Sequence, residues 1–401
     1  MSELENLLKD ILPEKRKPEK KKITSNKDIH HLVNGSYLCE KKRVFCSENR
    51  EKMPSDFGNV RIDEFQIPEI IRNWAGISNQ KNPRMEELLF IDTETTGLAG
   101  GTGTFAFLIG IGFYQDNNFV IRQYFMTDPS AEIILIEALA KELRKFSVFV
   151  SFNGKSFDIP LLRTRFVVNQ KDFVDLQNLD LLHLSRRLWK NSLDSCTLQN
   201  LEKNILGKHR DLSNDIPGSE IPRIYFDFLE NKDASLLKNV FHHNKIDIMS
   251  MVALLKIISE KVDYRLIKKN PLPVNLLEIG KLYEDCGESD LAVKIYNLEL
   301  SRDQQNRNCL KSLSFLYKRN QQVLEAEKLW KKAAEQNEIY AFIELAKVEE
   351  HQRHNYQKAL QLTEKAVSLT KQSYVFEMSL IDELVHRYRR LEAKIKSKIQ
   401  A

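Results

Sequence analysis

The chain has 401 residues, 42% hydrophobic and 29% charged, which suffices for two or three domains of an ordinary soluble globular protein. No run approaches the roughly 18 consecutive apolar residues of a membrane span, and the first residues lack the apolar core of a secretory signal. The five cysteines are odd in number and form no CxxC pair, which excludes a disulfide framework or structural zinc and predicts reduced thiols in a cytoplasmic protein. The net charge of +5 permits nucleic-acid binding without implying it.

Residues 1–85 form the least readable part, an N-terminal extension. It begins with the short amphipathic stretch LENLLKDIL. The tract 13–22, PEKRKPEKKK, follows with six Lys/Arg against two Glu, and reads as a solvated tether or a phosphate-contacting arm. SYLCEKKRVFC and NVRIDEFQI are possible strands. From 86 to 265, LLFID, FAFLIGIGFY and NFVIRQYFM read as three strands joined by Gly or Asn turns. A helix over DPSAEIILIEALAKELRKF, a strand SVFVSFN and a helix from FDIPLLRTRFVV complete an α/β layout with a mixed sheet flanked by helices. Pro271 and Pro273 mark a boundary.

From 270 to 401 the pattern is all-α and repeats. Leu276, Tyr283 and Ala292 recur 34 residues on as Leu310, Tyr317 and Ala326, and Ala359 stands 33 beyond Ala326. That period predicts tetratricopeptide-like helix pairs, which stack into a surface for a protein partner.

Chemistry is expected at three places. Asp92 and Glu94 lie two apart at the end of a strand, so they share a face and repel. An exposed turn tolerates that in water; a divalent cation is the alternative, if further acids join them. Asp158 follows a strand and a Gly-containing turn and opens a helix, as a cap or as a ligand. Asp247 sits beside the apolar stripe Ile248, Met251, Leu254, Leu255, with His243 one helical turn before it and His242 one residue further away.

The ordered set DTETTGL (92–98), NGKSFD (153–158) and HHNKID (242–247) resembles the three motifs of the DEDD exonuclease superfamily. GLAGGTGTFAFLIGIG, QYFMTDPSAE, DLDLLHLSRRLW and NILGKHRDLSNDIPG resemble more closely the YprB-type RNase H-like exonuclease domain, over roughly residues 86–258. The resemblance implies an RNase H-like fold and a metal-dependent 3′→5′ exonuclease acting on DNA or RNA. It implies two Mg²⁺ or Mn²⁺ ions held by Asp92, Glu94, Asp158 and Asp247, with His243 or His242 as general base. The i,i+4 relation to Asp247 favours His243. A nucleic-acid-binding adaptor on the same scaffold is the alternative.

The glycine run after Glu94 lacks the Lys-Ser/Thr of a phosphate loop; Thr95, Gly97 and Leu98 are expected to line a terminal nucleotide instead. Asn153 and Phe157 read as turn and core residues or as substrate contacts. Asp180 reads as a structural or supporting acid and His183 as a core or helix-face residue. Arg186, Arg187 and Lys190 read as phosphate contacts or a solvated face, and Trp74, Trp189 and Trp330 as packing residues.

Overall fold

A computed structural model describes residues 28–39, 43–77, 83–97, 103–211, 215–269, 275–372 and 378–400. Leu98, the basic tract 13–22 and the prolines of the expected boundary lie outside these residues. Nine strands occur among them: β1 (Ser36–Tyr37), β2 (Val44–Lys52), β3 (Ser55–Phe57), β4 (Val60–Ile62), β5 (Leu88–Thr95), β6 (Ala106–Gln115), β7 (Asn118–Met126), β8 (Val148–Ser151) and β9 (Gln177–Asp180). Seven of them make one sheet in the order β1-β2-β7-β6-β5-β8-β9, and β3 and β4 pair apart from it. Pairing is antiparallel from β1 to β5 and parallel across β5-β8-β9.

Strand β5 opens with four consecutive buried residues because it is paired on both edges and covered on both faces. Its alternation divides them. Leu88 and Phe90 enter a core shared with the long helix Leu237–Val262, whereas Leu89 and Ile91 enter a core with the helices Glu132–Leu143 and Asp158–Val168. Strand β2 lies before the expected boundary at residue 86, yet it pairs with β7 from Val44↔Met126 to Lys52↔Asn118. Its mixed charges, SENREK, obscure the period-2 signal in the sequence.

Past residue 275, seven helices occur among the described residues, from Leu276 to Gln400. Of the positions that recur in sequence, Leu276, Tyr283, Ala292, Leu310, Ala326 and Ala359 are buried and Tyr317 is half-buried. Leu276, Ile279 and Leu282 share a core with Val252 and Leu255, so the first of these helices is packed against the sheet domain. Towards the end, Glu350 accepts bonds from Arg387, Arg390 and Lys394, pinning the last helix. No helix among the described residues is long and apolar enough to cross a membrane.

Candidate active site

The parity of β5 places the first two acids. Asp92 and Glu94 continue the face of Leu88 and Phe90, towards the long helix; Thr93 points the other way. Its Oγ1 donates to Asp158 Oδ1 at 2.5 Å, which brings the first residue of the helix Asp158–Val168 to the strand tip. The turn before Asp158 is held by Asp180 at the end of β9. This buried carboxylate accepts from Asn153 N (2.8 Å), Lys155 N (3.1 Å) and Leu182 N (3.0 Å). Asn153 takes a left-handed φ of 65°, a conformation Asn tolerates, and a side chain at Gly154 would collide with Ser151 Cβ at 2.5 Å.

Close approach of the long helix supplies the fourth acid. Gly110 and Gly112 on β6 stand opposite Asp92 and Phe90. A Cβ at Gly110 would lie 2.0 Å from Asn244 Oδ1, and one at Gly112 would lie 2.5 Å from Ile248. Without those side chains the helix settles onto the sheet. Asn244 Nδ2 then donates to Asp92 Oδ2 at 2.7 Å, while Gln123 Nε2 fixes the amide by donating to Asn244 Oδ1 at 2.8 Å. Both side chains of that relay are buried. Asp247, one turn further along the helix, faces the same cluster.

The two histidines part here. His242 is exposed, whereas His243 is buried. His243 Nδ1 lies 2.8 Å from Asp215 Oδ1, and its Nε2 lies 3.7 Å from Asp247 Oδ2. Nδ1 thus sits between the Asp215 carboxylate and Arg210 Nη1, the latter at 3.2 Å, and Nε2 is the ring nitrogen on the side of the acids. Arg210 completes the cluster. It is fixed by two 2.5 Å bonds to the buried Glu202, itself bonded by Ser250 at 2.6 Å, and it donates to Asp247 Oδ1.

Asp92, Glu94 and Asp158 keep some surface open but lie deep among protein atoms. Burial, then the charges of Asp247, Glu94 and Asp158, hold the Asp92 carboxyl well above its usual range. Burial, with Asp247 and Asp158, pushes Glu94 up to about 8 even though Arg210 pulls it down. Burial lifts Asp158 to about 6 against the Thr93 bond. The cluster thus gathers more carboxyl groups than Arg210 keeps ionised. Its donors are carboxylate oxygens throughout, the set that suits Mg²⁺ or Mn²⁺. Among the described residues, however, no three His, Cys, Asp or Glu side chains are gathered closely enough to grip an ion. Asn244, Thr93 and Arg210 each occupy one carboxylate oxygen in this conformation.

A mixed sheet with acids at the tip of its central strand, faced by a long helix, defines an RNase H-like domain, and the model of the RNase_H superfamily matches residues 89–259. Members of that superfamily are usually nucleases and typically use divalent metals. Over 319 residues the chain is 33% identical to "Uncharacterized protein YprB" of Bacillus subtilis (strain 168), an alignment covering 76% of each. The chain belongs to the family of that protein.

Of the residues singled out in the sequence, Asp92, Glu94, Asp158, Asp247 and His243 come together, while His242 faces solvent. Thr95 and Gly97 continue from the acids, with Thr95 Oγ1 donating to Gly97 O at 3.0 Å. Phe157 is 53% exposed beside Asp158 rather than in the core. His183 lies on an exposed helix face; Trp189 and Trp330 are buried and Trp74 half-buried. Arg210, Glu202, Asp215, Asn244 and Gln123 were not legible as site residues. Paired glycines at period 2 in FLIGIGF were the available signal for Asn244's close approach; Arg210 and Asp215 sit in a segment with no periodicity.

Proposed function

We propose that the protein is a metal-dependent 3′→5′ exonuclease acting on DNA or RNA strands. The observation that carries this reading is the convergence of Asp92, Glu94, Asp158 and Asp247 from three separate elements at one end of the sheet. Asp92, Glu94, Asp158 and Asp247 would hold Mg²⁺ or Mn²⁺. Bound there, the ions supply charge stabilisation for in-line displacement at a phosphodiester and lower the pKa of water. Asn244 and Arg210 orient Asp92 and Asp247, and Asp180 sets the turn that presents Asp158. His243, with Nδ1 held by Asp215, is positioned to take a proton at Nε2. Thr95, Gly97, Asn153 and Phe157 border the acids as contacts for the terminal nucleotide; the exposed Phe157 ring offers a base a stacking face. The helices from Leu276 onward are read as tetratricopeptide-like pairs that engage a protein partner.

A catalytically weak nucleic-acid adaptor is the rival reading, favoured by Arg210 standing against Asp247. The two differ in a simple assay. A strand labelled at its 5′ end, incubated with Mn²⁺, is expected to yield a ladder shortened from the 3′ end and nothing in EDTA. Binding without shortening of any DNA or RNA strand would establish the adaptor. A further expectation concerns the base: His243→Ala lowers kcat by roughly 100-fold or more, and His242→Ala leaves it near the wild-type value. Equal losses in single-turnover rates would refute the assignment to His243.

A further inference from the structure

A groove opens where the helix Leu181–Trp189 meets the first helices of the C-terminal region. It encloses ≈ 760 Å³ and is lined by six basic and three acidic side chains, with Phe315 among them. The acids are engaged within its walls. Glu278 pairs with Lys281 at 2.8 Å, Glu284 with Arg319, and Asp285 with Arg187, the last tying the sheet domain to the helix Leu276–Asp285. Arg186, Lys190 and Lys311 are exposed and have no acidic partner among the described residues, so the groove carries net positive charge.

The cations are ordered. Lys311, Phe315 and Arg319 recur every four residues on the helix Arg307–Arg319 and span about 12 Å of one face. Phe315 is half-buried and rests against Tyr340 at 5.8 Å between ring centroids. The helix Leu181–Trp189 begins at Asp180, which holds the turn before Asp158. Arg186 and Lys190 therefore lie about 9 and about 15 Å along the helix axis from Asp180, the residue that holds that turn.

We infer that this groove binds the body of a single-stranded nucleic acid whose end lies at the four carboxylates, a few nucleotides away. The inference rests on the nucleic-acid reading of the site proposed above. Cations without an acidic partner, beside an aromatic ring, hold a strand through its phosphates and one base face, without reading sequence. An acidic peptide would satisfy the charges and make no use of the ring.

Fluorescence anisotropy of the full-length protein in EDTA, where no turnover occurs, tests this with strands of about 30 and about six nucleotides. Two triple variants are compared with wild type: Arg186→Glu/Lys190→Glu/Lys311→Glu and the corresponding alanines. The long strand is expected to bind the glutamate variant at least roughly tenfold more weakly, and the salt slope of the alanine variant to fall by about 2. The short strand binds all three proteins alike. Unchanged long-strand affinity in both variants overturns the inference, as does displacement of the strand by poly-glutamate as readily as by unlabelled strand. Because binding is read without turnover, absence of hydrolysis by wild type would count against the carboxylate site and not against the groove.

Discussion

Replacing Asp92 with Asn is expected to abolish metal-dependent hydrolysis while raising the melting temperature of the metal-free protein. Asp92 is the most crowded of the four acids: burial and three neighbouring carboxylates all oppose its charge. In the hydrolytic state that charge is what would hold the ions, so its loss lowers the rate by orders of magnitude. In the metal-free state burial and three carboxylates oppose that charge and only the Asn244 bond favours it, so its loss relieves more repulsion than it forfeits. The pH dependence follows with a definite sign. Glu94 is raised from 4.5 to about 8 and Asp158 from 3.8 to about 6, so the folded protein holds protons that the unfolded chain releases. Stability from this source is fully present at the acid end of that window and is lost as pH rises from about 4 to about 8. Melting curves in EDTA should therefore fall between pH 5 and pH 8 for wild type and fall less for Asp92→Asn. Adding Mn²⁺ at pH 8 should restore wild type and leave the variant unmoved. A steeper decline in the variant would contradict the electrostatic account.

Gly110→Ala is expected to cost about 2–3 kcal/mol of stability and most of the activity together. The added methyl meets Asn244 Oδ1 at 2.0 Å, and that amide cannot swing aside without giving up both Gln123 and Asp92. The helix must lift instead, which carries Asp247 away from Asp92. Gly97→Ala is the matched control, since nothing lies within 4 Å of a Cβ built there; its melting temperature should equal that of wild type. Urea denaturation of the two variants checks the contrast, and equal midpoints would show that the helix does not depend on the glycine.

The acids were readable because each sits at a boundary that sequence marks: the end of the apolar run LLFI, the start of a helix after a glycine turn, and the edge of a helical stripe. Spacing along β5 was enough to put Asp92 and Glu94 on one face. What holds them was not readable. Asn244 reaches Asp92 across 152 residues and Gln123 reaches Asn244 across 121, contacts that no local period encodes. Arg210 arrives on the segment between Gly207 and the helix Ile221–Asn231, and its placement depends on Glu202 and Asp247 rather than on any pattern near it. The choice between His242 and His243 shows the same divide. Helical geometry pointed to His243, but burial against Asp215 is a property of the packed chain.

The carboxylates at the tip of β5 are proposed to form a metal-dependent nuclease site. The most direct measurement compares wild type with the Asp92→Asn/Glu94→Gln protein on end-labelled single-stranded DNA and RNA in Mn²⁺. Shortening by wild type alone, with the double variant folded and able to bind the strand, is the predicted result. Equal degradation by both proteins would contradict it.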